Sequence, residues 1–94
     1  MFVLIAYDVA TVSKGGTRRL RRVAQASKDY GQRVQNSVFE CRIDAKNWAL
    51  LRARLLREID AKEDSLRFYF FDADVPIEHH GSKSPVDLEG PLIL

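Results

Sequence analysis

Ninety-four residues suffice for one domain, and 46% hydrophobic with 30% charged residues exclude a disordered or low-complexity chain. The longest apolar run is too short to span a bilayer, and Met1-Phe2-Val3-Leu4-Ile5 lacks the basic region and cleavage site of a secretory signal. The single cysteine, Cys41, excludes an internal disulfide and a cysteine-cluster metal site, so a cytoplasmic protein without a membrane partner is expected.

The net charge of +2 hides an asymmetry. Residues 1–57 carry twelve Lys and Arg against four Asp and Glu, while residues 58–94 carry three against nine. A basic half is either the footprint of a polyanion or a face that meets the acidic face of a second copy. Self-association would also help so short a chain to bury surface.

Phe2-Val3-Leu4-Ile5-Ala6-Tyr7-Asp8 reads as a central strand covered on both faces. Alternation places Phe2, Leu4, Ala6 and Asp8 on one face and Val3, Ile5, Tyr7 and Val9 on the other. Asp8 is the most informative residue of this run. A carboxylate at the end of a buried strand is costly unless it is solvated, hydrogen-bonded or bound to a cation. Residues 10–16 form a loop around Ser13 and Gly15-Gly16, and the stretch from Lys14 to Arg22 holds five cations and no acid.

Residues 17–30 are expected to be helical, with Leu20, Val23, Ala24 and Ser27 as the inward stripe. Arg18, Arg19, Arg21 and Arg22 cover the first turns, where the helix dipole favours anions. A bound phosphate would relieve that conflict, so these arginines are candidate nucleic-acid contacts. Gly31 is a candidate left-handed cap. Residues 32–43 read as a hairpin turning at Asn36-Ser37, because Asn tolerates positive φ. Phe39, Cys41 and Ile43 face one way, and Val38, Glu40 and Arg42 the other.

Asp44 reads as the N-cap of a second helix over residues 45–59. Its stripe is Trp48, Leu51, Leu55 and Ile59, flanked by Ala49 and Leu56. Residues 60–65 form a charged turn, and residues 66–71 an aromatic-rich strand in which Phe68 and Phe70 are expected in the core. A polar connector follows from Asp72 to Glu89, and the chain closes on apolar Leu92-Ile93-Leu94. The order β-α-β-β-α-β is that of an α+β, ferredoxin-like sandwich, here with an extra C-terminal strand. One domain thus spans residues 1–94, with its core to about residue 72 and a connector and terminal strand after it. An apolar terminus beyond a polar linker must bury itself, and the sheet edge of a second subunit is a suitable place.

At this point the residues closely resemble a known family. Tyr7-Asp8 ends the first strand, and an arginine-rich helix leads to Tyr30-Gly31-Gln32-Arg33-Val34-Gln35-Asn36-Ser37-Val38-Phe39-Glu40-Cys41. This pattern is similar to the small CRISPR-associated adaptation protein, the second core protein of spacer acquisition. The resemblance implies a homodimer packed through its sheets, with the C-terminal strand crossing to the partner. It implies a scaffold that bridges copies of the adaptation integrase and supports duplex DNA. For some members it implies a Mg²⁺-dependent endonuclease acting on single-stranded RNA or duplex DNA, so an enzyme is favoured on this ground alone. By the resemblance Asp8 matches the catalytic and metal-site Asp, and Arg33 and Phe39 match hairpin positions. Asp72-Ala73-Asp74-Val75-Pro76 departs from relatives that are often basic there.

Each candidate also has a bland reading. One Asp cannot make a competent Mg²⁺ site, so Asp8 of each subunit would have to contribute across a two-fold axis. Otherwise Asp8 is a solvated strand end. Arg18, Arg19, Arg21 and Arg22 are either phosphate contacts or a solvated helix face, and Arg33 is either a further nucleic-acid contact through phosphate or a surface residue flanking the strand ladder. Phe39 is either a base-stacking platform or core. His79-His80 are poorly spaced for one metal and are expected in solvent.

Overall fold

The computed structural model describes residues 1–73 and 75–82. Its elements are β1 (Phe2–Asp8), α1 (Gly16–Tyr30), β2 (Gln32–Gln35), β3 (Val38–Arg42), α2 (Ala45–Glu58) and β4 (Ser65–Phe71). The four strands form one antiparallel sheet in the order β2-β3-β1-β4. This is the ferredoxin-like arrangement, with β1 central and both helices on one face. The C-terminal crossing strand expected over residues 83–94 lies outside the described residues.

Alternation along β1 divides the two faces as expected. Val3, Ile5 and Tyr7 enter the core beneath the helices, with Phe39, Cys41 and Ile43 from the second arm of the hairpin. The helices supply Val23, Ala26, Trp48, Leu51 and Leu55. Full burial of each of these larger aliphatic side chains is worth about 1.5–3 kcal/mol, which is the main force holding α2 to the sheet. Phe2 lies on the opposite face yet is only 1% exposed. The guanidinium of Arg42 sits 5.2 Å from its ring centre, and Phe71 meets it edge-on at 5.8 Å.

Local signals account for most boundaries. The Asp44 side chain accepts a 2.8 Å bond from the Asn47 N–H, capping α2. Gly15 caps α1 at φ 78°, and a Cβ on Gly16 would collide with the Ala10 carbonyl. The glycine pair therefore serves a tight strand-to-helix turn.

Several expectations need correction. Gly31 is not a left-handed cap, because its backbone is extended at φ −147°. It is glycine because a Cβ there would strike Cys41 Sγ and lie 2.8 Å from the Glu40 carbonyl oxygen on β3. The turn at Asn36-Ser37 uses no positive φ, and a bulge between Arg33 and Gln35 adjusts the hairpin register instead. Ile59 follows α2 rather than ending it, and Ala49 and Leu56 are exposed, so the buried stripe is narrower than the sequence indicates. Phe68 packs on the core, with its ring 4.8 Å from that of Trp48. Phe70 touches the edge of Trp48 but remains 58% exposed.

Candidate nucleic-acid interface and the Asp8 edge

Asp8 is the last residue of β1, opposite Ser65 on β4, and is exposed on the sheet face away from the helices. Tyr7 points the other way. Its ring stacks on Phe39 with centroids 6.2 Å apart, and its hydroxyl makes a long 3.4 Å contact to the Asn36 carbonyl. Burial raises the pKa of the Tyr7 phenol, with the neighbouring Arg33 charge partly offsetting that shift. Tyr7 is thus a neutral hydrogen-bond donor, on the wrong face to assist Asp8.

A hard cation suits an exposed carboxylate, but one chain brings only one. Among the described residues no group of three or more His, Cys, Asp or Glu could hold a metal. The nearest acid in sequence across the sheet, Asp64, is committed elsewhere. Its side chain is 0% exposed and accepts from Arg19 Nε at 2.8 Å, Arg19 Nη2 at 3.2 Å, the Ala10 N–H at 3.0 Å and the Asp60 N–H at 2.8 Å. The Arg19 guanidinium first, and the backbone donors after it, hold the Asp64 carboxyl down at about 2. Strand alternation puts Asp64 on the helix side of Ser65, away from Asp8. A metal site at Asp8 therefore fits only if a second subunit adds its own carboxylate.

This cluster also changes the reading of the first helix. Arg19 is not one of four solvent-facing cations. It further donates to the Lys14 carbonyl and Ser13 Oγ, each at 2.9 Å, so the loop from β1 to α1 is folded around it. One cation near the helix start thus has a structural reward after all. Arg18 and Arg21 are exposed, and Arg22 is exposed beside Glu58 at 3.6 Å. The first turn of α1 contains no acid.

Arg33 lies on the helix face of β2, with its guanidinium 5.1 Å from the Phe39 ring centre. Phe39 is 0% exposed, which makes it core and removes the stacking alternative. The Cys41 thiol is buried and pushed up to about 11, as expected for an inert packing residue. His79 and His80 are exposed, and His80 contacts Glu78 at 2.6 Å. No described helix is long and apolar enough to cross a membrane.

Sequence reasoning missed Asp64, one acid among several in a charged turn, and Lys28, which shares a groove with Arg21 and Arg33. An acid just before an apolar strand was the only available signal for Asp64.

Comparison with known proteins adds to this geometry. Residues 1–75 match the family model described as CRISPR associated protein Cas2. A protein of Chlorobaculum tepidum named CRISPR-associated endoribonuclease Cas2 is 55% identical, over 100% of both chains. One of Halalkalibacterium halodurans, named CRISPR-associated endonuclease Cas2, is 53% identical over 99% of each. The crystal structure of Streptococcus pyogenes Cas2 at pH 6.5 superposes with a TM-score of 0.69 at 51% identity. It covers 76% of this chain and 86% of that one.

Proposed function

The chain belongs to the CRISPR-associated Cas2 family, and from that premise we propose that it serves CRISPR spacer acquisition as a homodimeric nucleic-acid-binding scaffold for the adaptation integrase. The observation that carries this reading is the solvent-facing cation set of α1, formed by Arg18, Arg21 and Arg22, with Glu58 3.6 Å from Arg22. Guanidinium groups match phosphate oxygens in pairs, and such contacts are independent of sequence and sensitive to salt. The surface suits a duplex backbone, and Phe39, sealed in the core, offers no base-stacking platform beside it.

The sheet face opposite the helices is the natural dimer surface in this reading. Leu4 and Ala6 are half-buried there, and Tyr69 and Phe71 are partly exposed beside them. Packing two such faces would bury apolar area that one subunit leaves open, and would bring Asp8 of each chain toward a common axis.

A second reading, supported by the exposed Asp8 and by the nuclease names of the relatives, is a metal-dependent endonuclease acting on single-stranded RNA or duplex DNA. Paired Asp8 carboxylates would hold Mg²⁺, which when bound polarises a phosphoryl oxygen or lowers the pKa of water. The arginines would then clamp the flanking phosphates, and Arg19 with Asp64 would fix the loop next to Asp8.

Turnover of labelled single-stranded RNA and duplex DNA, with Mg²⁺ or EDTA, distinguishes the two readings when Asp8→Ala is run beside the parent. The scaffold reading expects duplex binding that survives Asp8→Ala and fails when Arg18, Arg21 and Arg22 become Gln. Metal-dependent cleavage that vanishes in Asp8→Ala would make the nuclease reading primary.

A further inference from the structure

Val12 is wholly exposed, whereas Phe70, the next most exposed of the larger apolar side chains described, is 58% exposed. It stands at the tip of the loop from β1 to α1. A single apolar side chain in solvent ordinarily means little, but this loop is held on both sides of its tip. Arg19 donates from Nη1 to the Lys14 carbonyl and from Nη2 to Ser13 Oγ, each at 2.9 Å. Ser13 Oγ donates to the Ala10 carbonyl at 2.8 Å, and the Ala10 N–H donates to the sealed Asp64 carboxylate at 3.0 Å. The Gly16 N–H closes the turn on the Ser13 carbonyl at 3.0 Å. None of these bonds uses the Val12 side chain, and nothing in the subunit covers it, so the fold gains nothing from an apolar residue there.

Charge around the tip indicates what could cover it. Lys14 and Arg18 are exposed, and neither is in an ion pair among the described residues. Asp60 and Glu63 lie close enough to Arg19 for their charges to act on it. A polyanion backbone is therefore admitted along the Lys14 and Arg18 side.

We infer that the β1–α1 loop enters the major groove of a bound duplex, where Val12 packs against the C5-methyl group of a thymine. Lys14 and Arg18 meet phosphates at the rim of the groove. Width decides the groove, because a turn of two chain segments is too broad for the minor groove, about 6 Å wide, and suits the major groove, about 12 Å wide. The Arg19 and Asp64 network orders the loop in advance, so little freedom is lost on binding. The contact is apolar, so salt screens it little, and it adds a base preference that phosphate contacts lack.

The inference rests on the duplex-binding reading above and deepens it. The test is fluorescence anisotropy of the full-length protein over a salt series. The probes are an A·T-rich duplex and the same duplex with every thymine replaced by deoxyuridine. The parent should bind the thymine duplex about fourfold more tightly, the worth of one buried methyl group. Val12→Ser, at a position the fold does not use, should lose about fivefold on the thymine duplex, lose the preference, and keep the parental salt slope. Arg18→Gln should lower that slope by about 1 and keep the preference. Equal binding of the two duplexes by the parent, a preference that persists in Val12→Ser, or an unchanged affinity in that variant would overturn the inference while leaving duplex binding itself in place. Unchanged duplex affinity with weakened integrase binding in Val12→Ser would assign the side chain to protein contact instead. A parent that binds neither duplex would overturn both the inference and the reading beneath it.

Discussion

Replacing Asp64 by Ala should be among the most damaging single changes in the described fold. The carboxylate accepts four hydrogen bonds, two from Arg19 and one each from the backbone of Ala10 and Asp60. Arg19 keeps its bonds to the Lys14 carbonyl and Ser13, and its side chain reaches solvent, so it loses less than a sealed charge would. The two backbone N–H groups are left without an acceptor, at about 1–3 kcal/mol each. Water entering the vacated space offsets part of this. A net loss of about 3 kcal/mol follows, equivalent to about 12–20 °C in Tm for a domain of this size. Urea unfolding at one fixed protein concentration is the assay, since any dimer makes stability concentration-dependent. Asp29→Ala is the comparator. It removes an exposed 2.7 Å pair with Arg54 and should cost no more than about 1 kcal/mol. Acid gives a second route to the same term. Folding depresses the Asp64 carboxyl from 3.8 to about 2, so its contribution is complete above about pH 4 and is lost as pH falls through about 2. That loss is on the order of 2 kcal/mol, and the stability gap between parent and Asp64→Asn should shrink across the same window. An Asp64→Ala variant no weaker than Asp29→Ala, or a gap unchanged down to pH 2, would refute the reasoning.

Three further outcomes are expected. Changing Arg18, Arg21 and Arg22 together to Gln should weaken duplex binding and lower the slope of log affinity against log salt by about 3, measured by fluorescence anisotropy over a salt series. Gly31→Ala should destabilise by about 2–3 kcal/mol in urea unfolding, because its Cβ meets Cys41 and the Glu40 carbonyl rather than because of backbone strain. Cys41, buried with its thiol pushed up to about 11, should react with a thiol reagent at pH 8 only as fast as the protein opens, and promptly in denaturant.

Legibility in the sequence followed the range of the interaction. The two faces of β1 and the cap at Asp44 rest on neighbouring residues, and periodicity or capping chemistry revealed them, while the turn at Asn36-Ser37 was located correctly although it uses no positive φ. Gly31 misled because a glycine after a helix reads the same whether it supplies positive φ or makes room for another strand. Only the position of β3 separates those cases. The Arg19–Asp64 pair joins residues 45 positions apart, and nothing local selects Asp64 over Asp60 or Glu63 as the partner. The exposure of Phe70 has a similar origin, since its apolar character was plain but not its place on a strand paired, among the described residues, only with β1. At the candidate site, the sequence marked Asp8 and the arginines by type, and packing then separated the structural Arg19 from the solvent-facing three.

The central claim is that the basic dimer, rather than the Asp8 carboxylate, carries the biological role. The most direct measurement is new-spacer acquisition in cells that supply the integrase and a CRISPR array, with this chain provided as parent, as Asp8→Ala, or with Arg18, Arg21 and Arg22 changed to Gln. The account predicts acquisition at the parental level for Asp8→Ala and none for the triple arginine variant, with both proteins present at equal amounts. Acquisition lost in Asp8→Ala and retained without the arginines would contradict it.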